Sequence, residues 1–180
     1  MRIAISSGHG LHVPGAHTIH ANEVLEARRI TQDVARRLRI RSSHQRPLSV
    51  FEFHDDNSRN QNDNLNNIIG WHNGLENIDC HVSVHFNAVA GMMQTGIGVE
   101  TWFREQSDQP LAAHVTDLIA GASGLRNRGA RNSTQLRFLN MVRGSRILLE
   151  IAFINSDTDM RLYRNNYEAI CDAIVDGLLS

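Results

Sequence analysis

Apolar and polar positions along the chain follow two periods, and the change between them outlines the elements. Residues 2–6 (RIAIS) form a short apolar run of strand length. Gly8, Gly10, Pro14 and Gly15 follow, so residues 7–22 are expected to be a loop, long enough to be functional. From Glu23 the apolar positions Ala27, Ile30, Val34 and Leu38 recur at spacings of three and four, with arginines on the opposite face. That is an amphipathic helix with Asn22 as its N-cap. After Pro47, LSVFEF (48–53) reads as a second strand. The asparagine-rich stretch 55–67 starts as a loop and passes into helical spacing at Leu65, Ile68, Ile69, His72 and Leu75, ending near Glu76.

CHVSVHF (80–86) alternates, with Cys80, Val82, Val84 and Phe86 on one face and His81, Ser83 and His85 on the other. GIGVETWF (96–103) reads as a fourth strand. Pro110 opens a helix whose apolar stripe is Leu111, Val115, Leu118 and Ile119. The glycine- and arginine-rich GASGLRNRGAR (121–131) reads as a loop, followed by short extended segments near 135–141 and at 145–151 (SRILLEI). A last helix is expected from about Asp157 to Leu179, carrying Leu162, Ile170, Ile174 and Leu178.

This order predicts an α/β fold: a single domain over residues 1–180, with a mixed, mostly parallel twisted sheet of about six strands and helices on both faces. Open α/β sheets bind ligands beyond the carboxyl ends of their strands. His9 stands just past the first strand, His85 near the end of the third and Glu150 near the end of the last, so the three are expected to meet at one sheet edge.

Composition narrows the function. Net charge is −1, from 18 arginines and 19 acidic residues with no lysine, which argues against a nucleic-acid partner. Two cysteines, Cys80 and Cys171, make no disulfide framework. No apolar run approaches ~18 residues, so no integral membrane segment is expected. The start, MRIAISSGHG, is too short and too quickly glycine-rich for a signal peptide.

Ten histidines stand out, four of them between positions 9 and 20 and two at 81 and 85. A catalytic zinc site uses three protein ligands and one open position, and two imidazoles with one carboxylate suit it. Glu150, in ILLEIAF, is an acid among apolar neighbours, a setting that raises its pKa and suits it to proton transfer. Each residue alone also has an ordinary reading: His9 as a turn residue, Glu23 as a helix N-terminal charge, His85 as a hydrogen-bonded strand histidine.

Several segments together resemble one family, the zinc-dependent N-acetylmuramoyl-L-alanine amidases of the Amidase_3 type. SSGHG (6–10) is similar to the family's opening strand with its GHG motif. NEVLEARRITQDVARRL (22–38) resembles the helix that begins with a glutamate ligand, and DCHVSVHFNA (79–88) the strand with the second histidine. GIGVETWF resembles a GxExxY-like strand, and NRGAR (127–131) the NRG loop. RILLEIAFINSDTDMRLY (146–163) resembles the stretch with the catalytic glutamate.

The resemblance implies one zinc ion per chain, bound by His9, Glu23 and His85, with Glu150 as general base and then general acid. The substrate would be peptidoglycan, cut at the amide between N-acetylmuramic acid and L-alanine. Asn87 and Arg131 are candidate substrate-binding residues, and the resemblance puts Arg128 and Arg131 of the NRG loop where they could meet the stem peptide's carboxylates. Glu26, one helical turn from Glu23, is the rival carboxylate, set aside because the family's helix starts at Asn22-Glu23. His12, His17 and His20 crowd the loop between two ligands and could compete for metal or line the groove.

The expected use is that of a phage or prophage endolysin-like lytic domain. It would be made in the bacterial cytoplasm without a signal peptide and act on the cell wall after release. A bacterial amidase exported by another route is the alternative origin. The competing functions are a zinc peptidase cutting within the stem peptide and a non-catalytic peptidoglycan-binding module.

Overall fold

A computed structural model describes residues 1–19, 21–42 and 47–180. Six strands form one sheet: β1 (Arg2–Ser7), β2 (Ser49–Phe53), β3 (Cys80–Asn87), β4 (Val99–Phe103), β5 (Asn127–Asn132) and β6 (Arg146–Phe153). Their order is β2-β1-β3-β6-β4-β5, and every neighbouring pair is parallel except β4 with β6. The sheet is therefore mixed and mostly parallel, as the pattern predicts.

Helices cover both faces. On one, α1 (Glu23–Ser42), α3 (Gln109–Ser123) and α6 (Tyr167–Leu179) bury Ile30, Val34, Val115, Ile119, Ile170 and Ile174 against Ile3, Ile5, Val82, Val84, Ile147 and Leu149 of the sheet. On the other, α2 (Gln61–Gly74) and the one-turn α4 (Arg137–Met141) bury Ile68, Ile69, Phe138 and Leu139 against Leu148. Asn22 caps α1, its Oδ1 accepting from the Val24 amide at 2.8 Å, and Pro110 lies in the first turn of α3.

Three expectations are corrected. The segment read as a loop over 121–131 contains the end of α3 and then the edge strand β5. Its residues are exposed or half-buried throughout, so no alternation marks it. The stretch near 135–141 is helical at α4, too short to display a helical period. The final helix is two, α5 (Asp157–Asn165) and α6, broken at Asn166. The Asn166 side chain instead donates to the Leu162 and Ser123 carbonyls, tying the break to the end of α3.

A buried imidazole pair sits between the sheet and α2. His72 Nδ1 lies 2.9 Å from His81 Nδ1, and His72 Nε2 lies 3.0 Å from Ser6 Oγ. Burial, with His81 beside it, pushes His72 down to about 3. Burial, with Arg146 nearby, pushes His81 down to about 4. Both are neutral in the folded chain at pH 7, whereas the unfolded chain takes up their protons near pH 6.5. Their contribution is thus complete above pH ~6.5 and is lost progressively as pH falls toward 4. The urea midpoint is expected to drop between pH 7 and pH 5, and to drop less in His81→Leu. An unchanged midpoint would contradict this account.

Candidate active site

Three donor side chains converge at the carboxyl edge of the parallel strands. His9 lies in the loop after β1, Glu23 opens α1 and His85 stands near the end of β3. Glu23 Oε1 is 3.2 Å from His85 Nδ1 and 3.4 Å from His9 Nε2. One donor atom from each residue falls within 4.8 Å of the other two. Glu23 is 3% exposed and held in place from the backbone: Ala16 N–H donates to Oε2 at 2.7 Å and Phe86 N–H to Oε1 at 3.2 Å. Burial raises its pKa, but the hydrogen bonds from His85 and His9 outweigh burial and hold the carboxyl well below the usual range. His85 Nε2 lies 3.0 Å from Ser83 Oγ, and burial pushes its pKa below the ordinary histidine value.

The glycines around His9 serve close approach rather than tight turning. Among the described residues, neither Gly8 nor Gly15 has positive φ. A Cβ on Gly8 would come within 1.9 Å of the His85 ring, and one on Gly15 within 2.5 Å of Glu23 Oε2. Gly8→Ala must therefore displace the His85 imidazole. Affinity for a divalent metal titrated into the protein is expected to fall about 10–100-fold, the size of effect seen when ligand orientation is disturbed. Unchanged affinity would show that His85 need not stand where it does.

Glu150 joins the cluster through the sheet. It pairs with His85 across β3–β6 and with Glu100 across β6–β4, so the three share one face in a row. Glu150 Oε2 is buried and has no hydrogen-bond partner among the described residues. Burial first, then the nearby Glu23 and Glu100 carboxylates, raises its pKa well above the usual carboxylate range.

Glu100 is the site residue that sequence reading passed over. It is 2% exposed and accepts from Asn87 Nδ2 at 3.1 Å and Arg128 Nε at 2.7 Å. Arg131 Nε lies 2.7 Å from the same carboxylate as an ion pair. Asn87 and Arg131 thus reach the row through Glu100. The loop between β3 and β4 is pinned to the segment that follows β6. Asn155 bonds both polar groups of Val89 and the Gly91 carbonyl, and Asp159 accepts from the Ile97, Gly98 and Phe153 amides.

The rival readings resolve by position. Glu26 accepts from the Tyr163 hydroxyl at 2.8 Å and is not part of the donor cluster. His12 and His17 are exposed and outside it. His20 lies outside the described residues.

Two imidazoles and one carboxylate at a sheet edge make a donor set that could hold a metal ion, with the half-buried Glu150 beside it. The chain belongs to the N-acetylmuramoyl-L-alanine amidase family (Amidase_3), whose model matches residues 3–180. It is 26% identical over 167 residues to an uncharacterized 38.4 kDa protein of Clostridium perfringens, across 91% of this chain and 46% of that protein. The chain spans about half the length of the curated relatives it matches.

Among solved structures, it superposes on the catalytic domain of the CD27L endolysin targeting Clostridia difficile with a TM-score of 0.83 and 22% identity, over 99% of this chain and 97% of that one. The N-acetylmuramoyl-L-alanine amidase from Clostridium difficile 630 gives 0.82 and 23%, over 99% and 94%. These likenesses establish the fold.

Proposed function

We propose that the chain hydrolyses the amide between N-acetylmuramic acid and L-alanine in peptidoglycan, using one zinc ion held by His9, Glu23 and His85, with Glu150 as the proton-transfer group. The observation that carries this is the donor cluster standing beside Glu150, whose buried Oε2 has no hydrogen-bond partner among the described residues. The donor set fits zinc: two nitrogens and one oxygen leave a fourth position open. His9 Nδ1 is also buried without a partner among the described residues, so its ring is held by what its other nitrogen meets. When bound, zinc supplies polarisation of the scissile carbonyl and acidifies the attacking water.

The protein groups do the rest. Glu150 Oε2, with its raised pKa, takes a proton from water and delivers it to the departing alanine nitrogen. The backbone amides of Ala16 and Phe86 hold Glu23 in place, and His85 and His9 keep it ionised. The His85 ring is confined by Gly8 on one side and Ser83 on the other.

Likeness to an endolysin catalytic domain further supports a lytic role, in which the chain reaches the wall after release. The test is mass spectrometry of purified peptidoglycan after digestion. Intact stem peptides with free L-alanine amines and no new reducing sugar ends are expected. Peptides cut internally would replace this reading with a zinc peptidase, and no release would replace it with a binding module.

A further inference from the structure

The end of β2 holds a chain of polar side chains that the proposed chemistry does not use. β2 runs parallel to β1 with Phe53 level with Ser6, so the next residues, His54 and Ser7, come level beyond them. Ser7 Oγ lies 2.9 Å from His54 Nδ1, and His54 Nε2 lies 3.2 Å from Glu52 Oε1. A carboxylate only accepts, so Nε2 carries the proton and donates to Glu52. Burial first, then Arg28, holds the His54 pKa below the ordinary histidine value. The ring is therefore neutral at pH 7, Nδ1 is an acceptor, and the Ser7 hydroxyl donates to it.

Serine, histidine and glutamate in this order are the partners of a hydrolytic triad. Ser7 is 0% exposed, so no substrate reaches its hydroxyl. What the chain of bonds can do is fix backbone, and the backbone it fixes is a turn that carries a donor of the metal cluster. Ser7 stands two residues before His9. Two residues after His9, the Leu11 N–H donates to the Asp55 carbonyl at 2.8 Å. Adjacent residues at the end of β2 thus hold both ends of the turn over 7–11. Gly10 lets the turn lie against them: a Cβ there would come within 3.1 Å of the Asp55 carbonyl oxygen and 3.0 Å of Asn64 Nδ2.

This support is anchored on α1. Arg28 Nη2 donates to the same Asp55 carbonyl at 2.8 Å, and its Nη1 pairs with Asp56 at 2.7 Å. Arg39 Nη1 pairs with Glu52 at 2.8 Å. α1 also opens with Glu23. The helix that carries one donor therefore sets, through β2, the place of another. His9 depends on such outside support. Its Nδ1 is buried without a partner among the described residues, so no hydrogen bond aims the ring from that side.

We propose that His54, bonded to Ser7, and Asp55, bonded to Leu11, form a clamp that positions the His9 imidazole for metal. Both act through the turn and are positioning residues. The inference rests on the zinc reading above and deepens it.

Competition against a chromophoric chelator measures zinc affinity without turnover. Ser7→Ala and His54→Leu should each lower that affinity about 10–100-fold, as loss of a group that orients a ligand does. His54→Asn keeps an acceptor where Nδ1 stands and should bind zinc within about 3-fold of the wild type, since the hydrogen bond is kept. Thr116→Val is the control for stability. It removes a buried hydrogen bond between α3 and β4, to Thr101 at 2.7 Å, and should leave zinc affinity unchanged. A second readout needs no metal. The His9 and His85 rings stand edge to face with centroids 5.3 Å apart. A nuclear Overhauser contact between them is expected in the metal-free wild type and in His54→Asn, and is expected to be lost in His54→Leu.

Wild-type affinity in both Ser7→Ala and His54→Leu, or an equal loss in Thr116→Val, would overturn the clamp. If the wild type takes up no zinc, the zinc reading fails. The ring contact in the metal-free protein then decides the clamp by itself, and its persistence in His54→Leu would overturn it.

Discussion

Replacing Glu150 by Gln is expected to lower amide hydrolysis roughly a thousandfold, the range of a lost general acid–base, while zinc still binds at one ion per chain. Gln keeps the size of the side chain and cannot accept and return a proton. Glu150 Oε2 is buried with no hydrogen-bond partner among the described residues. Its raised pKa, caused by burial and by Glu23 and Glu100, keeps the proton available at the reacting atoms. The measurement is the initial rate of L-alanine amine release alongside zinc content. A variant with zinc bound and full activity would remove Glu150 from the mechanism.

The second large effect is at the donor cluster. His85→Ala is expected to abolish stoichiometric zinc and bring activity to background. The loss in metal affinity should exceed the ~10–100-fold typical of disturbing a group that only orients a ligand. Folding should survive, because the ring is edged by Gly8, Ser83 and Glu23 rather than by the apolar core. Thermal unfolding serves as the control. Glu26→Gln supplies the contrast, since Glu26 is engaged by Tyr163 and should keep full zinc. Zinc retained at full stoichiometry in His85→Ala would sink the ligand assignment, and zinc lost in Glu26→Gln would reopen the choice of carboxylate.

The parts of this protein that were legible from sequence are those where one period dominates. The strict alternation of β3 puts His81, Ser83 and His85 on one face, and the structure keeps them there in register with β6. The helical stripe of α1 and its Asn22 cap fix where Glu23 stands. Glu150 was visible because an acid within a buried strand needs an explanation.

The same signal was present at Glu100, between buried Val99 and Thr101. It went unread because its partners, Arg128 and Arg131, sit on β5, and β5 itself was invisible. An edge strand half-exposed on both faces has no alternation, and Gly129 within NRGAR reads as a turn. The role of Gly8 was hidden for a different reason. Its value is the space it leaves for an imidazole 77 residues later, and no local pattern carries that.

The proposed zinc dependence rests on the cluster of His9, Glu23 and His85. The most direct test strips the protein with a chelator and titrates zinc back while following L-alanine amine release from peptidoglycan. The account predicts no release from the stripped protein and a rise that saturates at one equivalent of zinc. Full release from metal-free protein, or zinc saturating at one equivalent with no release, would contradict it.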